Sequence, residues 1–264
     1  MTERYSPPAD FLPQLLPVVA GVVISSMAII ELTDHLNSHP VRYNLLPLCV
    51  LALTQTVVTL VSLLHWFPYH DFPLLKKTLI ANVFVRLLYS WLDTYIYIQR
   101  TRSIMTFYPK WQIAIFVFLA LRCTWLTILN AFDLRKLIPT QSAAQLFGTI
   151  YATWTTALNI TQLVSPVAQA LIVDDSLLYV IVATLRTAGR DVRPSWKRLT
   201  RIVLLIVISC VFFLVHLTSP HSMAATALVA GITGNVVIAL SAFVNIDLYL
   251  LDIALFSSKR AVGR

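Results

Sequence analysis

From residue 11 to residue 250 the chain is a succession of long apolar runs separated by short polar ones. Each run is about 20 residues long, the length at which an α-helix covers the hydrocarbon core of a bilayer. The pattern predicts spans over residues 11–32, 45–67, 78–99, 111–132, 202–218 and 224–250. A further apolar region runs from 146 to 185. As one helix it would be about 60 Å long, twice the hydrocarbon thickness. Pro166 and the pair Asp174-Asp175 interrupt it. It is either one kinked helix that projects from the membrane or two spans joined near Ser165-Pro166. The expected fold is therefore all-α, a polytopic transmembrane helical bundle of seven spans, with eight as the alternative. Residues 1–10 read as a short polar tail, 11–256 as the bundle and 257–264 as a short basic tail.

Composition agrees with the pattern. Of 264 residues 58% are hydrophobic and 12% charged, with mean hydropathy +0.75, whereas soluble domains carry about 25% charged residues. The first apolar run is too long for the core of a signal peptide and lacks a clearly basic lead-in, so it is expected to be an uncleaved first span. Cys49, Cys123 and Cys210 all fall inside predicted spans, so three free thiols are expected and no disulfide.

Net charge is +8, but the basic residues sit between the apolar runs. In that position they act as orientation signals and headgroup contacts, and a nucleic-acid role is not expected. With seven spans one face collects 13 Lys and Arg and the other 5. With eight the division is 14 to 4. Both arrangements put the C-terminus in the cytosol, and they disagree about the N-terminus. Seven is preferred, because in the eight-span arrangement Asp174 and Asp175 would lie deep in the extra span. In the seven-span arrangement they can sit near the cytosolic interface.

Charged groups inside the spans are the candidates for function. Arg86 and Asp93 share the third span, two turns apart on one face, and Arg122 is central in the fourth. Such groups turn to the bundle interior and pair. An interior cluster of Arg86, Asp93 and Arg122 is expected, either as a ligand or switch site or as an ion pair that fixes helix register. Asn82, Asn130 and Asn235 are candidate neutral partners. The seventh span adds a polar face of Asn235, Asn245, Asp247 and Tyr249, groups that need partners away from lipid. Asn245-Ile-Asp-Leu-Tyr249 resembles the Asn-Pro-x-x-Tyr element that ends the last helix of rhodopsin-type receptors, with Ile246 in place of the proline. Other marks of those receptors are missing: the third span ends without an acidic-Arg-aromatic triplet, and the sixth lacks a proline. A retinal protein is excluded, because no lysine falls in the last span.

The segment between the fifth and sixth spans carries Arg186, Arg190, Arg193, Lys197, Arg198 and Arg201 against one acid, Asp191. It reads as a basic cytosolic loop, able to meet anionic lipid headgroups or a cytosolic effector, or serving only as a topogenic signal. His35 and His39 are four apart, and His65 is near His70, but neither pair has the further ligand that a metal site needs. No nucleotide loop, nucleophile elbow or thiolate dyad is present, so neither enzymatic activity nor a cofactor is expected.

The stretch Val173-Asp-Asp-Ser-Leu-Leu-Tyr179, followed by the basic loop and an apolar sixth span, resembles the seven-helix integral membrane proteins of fungi. The likeness covers about 50 residues, and the end of the seventh span departs from it. It implies a receptor-like bundle and assigns no ligand. Two readings of function stand, the first preferred because the cytosolic face is the only sizeable charged surface, the second its alternative. One is a receptor-like seven-helix sensor with a basic cytosolic face. The other is a small membrane transporter or channel, with Arg86, Asp93 and Arg122 along its path. The lipid bilayer is the partner common to both.

Overall fold

A computed structural model describes residues 11–36, 45–64, 72–105, 108–142, 145, 165, 168–187, 200, 203, 204, 207, 208, 211 and 232–262. Among them every regular element is helical. Helices α1 (Phe11–Leu36), α2 (Leu45–Leu64), α3 (Phe72–Ile104) and α4 (Pro109–Leu137) are followed by two that each begin in a π turn. The π turn Ala170–Asp174 leads into α5 (Asp175–Thr187), and the π turn Ile232–Val237 leads into α6 (Ile238–Val262).

Three of these helices are long and apolar enough to cross a membrane: Leu15–Asp34 within α1, Leu45–Leu64 and Pro109–Leu137. A shorter apolar helix covers Asn235–Leu250. These helices are compatible with a membrane protein. The outward faces argue the same way. On α4 the exposed side chains are Trp111, Ile113, Val117, Leu121, Trp125, Ile128 and Phe132, a nearly continuous stripe at helical spacing. On α1 the stripe is Leu16, Val19, Val23, Met27 and Ile30. In water, apolar strips of this length would be aggregation surfaces; against lipid tails they are solvated.

The inward faces are the more polar ones. α3 is not apolar enough to be counted among the spanning helices, because Arg86, Asp93 and Arg100 punctuate it. Its buried positions include Asn82, Ser90, Asp93, Thr94, Arg100 and Thr101. It packs against α2, α4 and α5. α1 packs against α2 and against the π turn and α6.

Hydroxyls within the helices bond back to their own backbone. Thr54, Thr59, Ser62, Ser90, Thr94 and Thr127 each donate to the carbonyl four residues earlier, at 2.7–2.8 Å. These hydroxyls are thereby satisfied within their own helices, which is the condition a bilayer imposes. The end of α4 is closed by a neighbour: Lys76 Nζ donates to the carbonyls of Ile138 at 2.6 Å and Thr140 at 2.8 Å. A cation at the negative end of a helix dipole is a favourable cap.

One close approach needs glycine. A Cβ at Gly21 of α1 would lie 2.8 Å from Thr56 Cγ2 and 2.9 Å from Asn235 Cβ. It would also lie 3.2 Å from the Asn235 carbonyl carbon, so backbone stands in the way. Small residues that let helix backbones approach are a common device of membrane bundles.

The helices are longer than the apolar runs predict. The third, expected over 78–99, begins at Phe72 and ends at Ile104, and the fourth, expected over 111–132, reaches Leu137. The added turns carry Lys76, Lys77, Arg100, Arg102, Arg135 and Lys136, whose charges interrupt the apolar signal. The last helix runs unbroken from Ile238 to Val262, through the segment expected to be a tail. The predicted sixth span and the question of a break at Pro166 fall almost wholly outside the described residues.

Candidate functional site

α3 presents charged residues seven apart, Arg86, Asp93 and Arg100. Seven residues are close to two helical turns, so the three stack on one face about 10 Å apart. With Asn82 at one end and Thr101 at the other, this polar face extends for about 28 Å, close to the thickness of a hydrocarbon core. Each level meets a different neighbour.

The central level is the Asp93 carboxylate, which is completely buried. Arg122 Nη1 of α4 donates to its Oδ2 at 3.2 Å. Gln169 Nε2, just before the first π turn, approaches the same oxygen at 3.4 Å. Asn245 Nδ2 of α6 donates to Oδ1 at 3.0 Å. Arg122 Nε also donates to Ser165 Oγ at 2.9 Å. Thus Asp93 gathers α4, the segment before α5, and α6 around α3. Carboxylates and guanidiniums inside a bundle are tolerated when they pair in this manner.

The next level is Arg100, which is 3% exposed. Its Nη1 donates to Asn245 Oδ1 at 3.0 Å and its Nη2 to the Asn245 carbonyl at 2.6 Å. Its guanidinium carbon is also 5.9 Å from the centre of the Tyr97 ring, within cation–π range. Arg100 lies one residue beyond the third span as the apolar pattern predicts it, over 78–99. The helix continues past it, and Asn245 draws the guanidinium inside.

The remaining level is Arg86, and here the expected cluster divides. Arg86 Nη1 is 3.9 Å from Asp133 Oδ2 of α4, and Nη2 donates to Asn82 Oδ1 at 3.1 Å. Asn82 also accepts from Gln55 Nε2 of α2 at 2.8 Å and donates to Thr59 Oγ1 at 2.7 Å. Arg86 therefore anchors a second polar group between α2, α3 and α4, rather than joining Asp93 and Arg122. Asn130, buried on α4, turns its Nδ2 to the Leu126 carbonyl.

Asp174 and Asp175 part company. Asp174 is 2% exposed and Asp175 is exposed. The sequence places both near an interface. The π turn instead carries Asp174 in beside Tyr97, where it feels the charges of Asp93, Arg100 and Arg122. Single π turns inside α-helices are frequent at functional sites.

Of the polar face expected on the last span, Asn235, Asn245, Asp247 and Tyr249 are all buried. Asn245 belongs to the Asp93 site, whereas Tyr249 packs in an apolar cluster with Leu45, Leu48 and Phe243. In the basic loop Arg186 is exposed, and Arg190, Arg193, Lys197, Arg198 and Arg201 lie outside the described residues. Among the described residues no cluster of His, Cys, Asp and Glu has the makings of a metal site. Cys49 and Cys123 are free thiols.

Several buried polar atoms of this column make no well-formed hydrogen bond among the described residues. They are Gln55 Oε1, Arg86 Nε and Asn130 Oδ1 at one end, and Tyr97 Oη, Thr101 Oγ1, Gln169 Oε1 and Asp174 Oδ1 at the other. Arg100 and Gln169 carry no signal of their own in the sequence, apart from the seven-residue repeat that Arg100 completes, and Asp174 shows only as half of the acidic pair that interrupts the fifth apolar region.

No family model, no curated protein and no solved structure matches this chain.

Proposed function

We propose that this chain is a multi-pass membrane protein that carries or conducts a small polar solute along the interior face of α3. In this reading the bundle has seven spans and a cytosolic C-terminus. The observation that supports it is the column from Asn82 to Thr101. Charged and amide groups line one face of a helix over about 28 Å, inside an envelope of exposed apolar side chains. A buried polar atom without a partner costs about 1–3 kcal/mol. Seven such atoms along one column are a poor design for a purely structural core, and a good one for a path or pocket that a polar solute occupies.

The sensor reading rests on the basic stretch between Arg186 and Arg201, nearly all of which lies outside the described residues. The likeness to seven-helix fungal proteins, carried by residues 173–179 with that stretch, assigns no ligand. Transport is therefore preferred. The test is a flux assay on the purified chain in liposomes, with empty liposomes and the Asp93→Leu variant as references. Solute-dependent permeability that the variant loses supports transport. Protein-free and protein-containing vesicles that behave alike contradict it.

A further inference from the structure

At the Arg100 end of the column four buried oxygens that make no well-formed hydrogen bond among the described residues belong to two short pieces of chain. Tyr97 and Thr101 are one turn apart on the same face of α3, and both are fully buried. Gln169 and Asp174 are five residues apart, 3% and 2% exposed. In a regular α-helix residues five apart point in quite different directions. Here the π turn Ala170–Asp174 intervenes, and its i→i+5 hydrogen bonding brings residues five apart round to one side. Gln169 reaches Asp93 of α3 at 3.4 Å, and Asp174 stands beside the Tyr97 hydroxyl. The two pieces therefore face each other. Among the described residues Thr101 Oγ1 and Gln169 Oε1 make no hydrogen bond, and Tyr97 Oη and Asp174 Oδ1 make no well-formed one, the Tyr97 hydroxyl and the Asp174 carboxyl having only each other.

The chemistry of those atoms restricts what fits. Asp174 Oδ1, as a carboxylate oxygen, and Gln169 Oε1 accept hydrogen bonds and do not donate them; the two hydroxyls can do either. The charges that act on Asp174 are those of Asp93, Arg100 and Arg122, so among these four groups two carboxyls stand against two guanidiniums. A bare ion would add an uncompensated buried charge, at a cost of several kcal/mol. A neutral group with O–H or N–H donors meets the acceptors and leaves the balance unchanged.

We propose that Tyr97, Thr101, Gln169 and Asp174 form a binding pocket for a small neutral solute rich in hydrogen-bond donors, of the class of water, polyols and small amides. The inference rests on the transport reading and narrows it to uncharged cargo.

The experiment is light scattering from liposomes that contain the purified chain, after osmotic steps made with impermeant sugar, glycerol or urea, beside Na⁺, K⁺ and Cl⁻ flux on the same vesicles. Tyr97→Phe and Gln169→Leu are compared with the unaltered chain, and thermal melts in detergent establish that both fold. Faster entry of water, glycerol or urea than in empty vesicles is expected, with about a fivefold or larger loss in each variant, the effect of one hydrogen bond. The solute that enters fastest identifies the cargo. Ion flux without neutral-solute flux overturns this inference and leaves transport standing. No flux of any kind overturns both. Neutral-solute flux that both folded variants retain overturns the placement of the pocket. If a variant does not fold, the other decides by the same criterion, and if neither folds, Tyr97 and Gln169 are structural and the pocket is refuted.

Discussion

Asn245 and Asp93 are 152 residues apart in sequence and share a 3.0 Å hydrogen bond in the core of the bundle. The same Asn245 accepts two bonds from Arg100. One neutral amide thus lies between a carboxylate and a guanidinium on the same helix and couples both to α6. Replacement by leucine removes a donor from Asp93 and the side-chain acceptor from Arg100 at once, and leaves Arg100 only the backbone carbonyl of residue 245. Asn245→Leu is expected to destabilise the protein by about 3 kcal/mol or more. Asn245→Asp, which keeps the acceptors and loses the donor, should cost less through Arg100 and more through repulsion with Asp93. Thermal unfolding in detergent ranks the two.

The Asp93–Arg122 pair tests whether the ionic level acts as a unit. Removing either partner strands the other charge where water is scarce, at about 3–5 kcal/mol. Removing both replaces a buried pair by apolar surface. The double variant Asp93→Leu, Arg122→Met should therefore be more stable than the sum of the single changes predicts, with a coupling of about 1–3 kcal/mol. A purely additive result would mean that the 3.2 Å contact carries no energy.

Arg86 should behave differently. Its ion pair is long, at 3.9 Å, and its side chain is 28% exposed. Arg86→Met leaves the buried Asp133 without its cation. It is expected to cost about 1–3 kcal/mol, less than the loss of Arg122 because the pair is longer, and to show no coupling with Arg122 in a double-mutant cycle. Strong coupling would restore the single cluster that the sequence suggests.

Much of this core is legible from sequence, for physical reasons that can be named. Charges inside a 20-residue apolar run must turn inward, so Asp93 and Arg122 are expected to meet, and they do. Asn245 is expected inside on the same ground. Arg100 is not, because a guanidinium at the end of an apolar run ordinarily reaches for the interface, and only the burial of Asn245 across from it reverses that preference. Asp174 is invisible for another reason. Its inward position depends on one extra residue in a helical turn, and no local residue pattern marks that turn. Arg86 takes Asp133 as partner because α4 continues one turn beyond its apolar stretch. Helix ends made of polar residues leave no hydropathy signal.

Gly21 is a packing constraint rather than a polar one. A methyl group there would press on Thr56 Cγ2 and on the backbone of Asn235. Gly21→Ala is expected to cost about 1–3 kcal/mol through overpacking, and Gly21→Val more. A Thr56→Ser change removes the nearest methyl and should recover part of the Gly21→Ala loss. Recovery would be read as a rise in melting temperature of the double variant over the single one.

The Lys76 cap joins α3 to the end of α4 through two carbonyls. Lys76→Met keeps most of the apolar stem and removes the donors. A loss of about 1–2 kcal/mol is expected, with faster amide hydrogen exchange confined to the last turn of α4. Unchanged exchange there would show that the cap is dispensable.

The whole account depends on lipid outside the bundle and ionic groups within it. Spin labels at single cysteines, introduced at Val117, Leu121 and Met27 in a chain without its native thiols and reconstituted in vesicles, test this most directly. Collision with oxygen, which concentrates in lipid, is compared with collision with a water-soluble nickel chelate. The account predicts high oxygen and low nickel accessibility at all three positions. Nickel accessibility equal to that of an exposed label in water would contradict it.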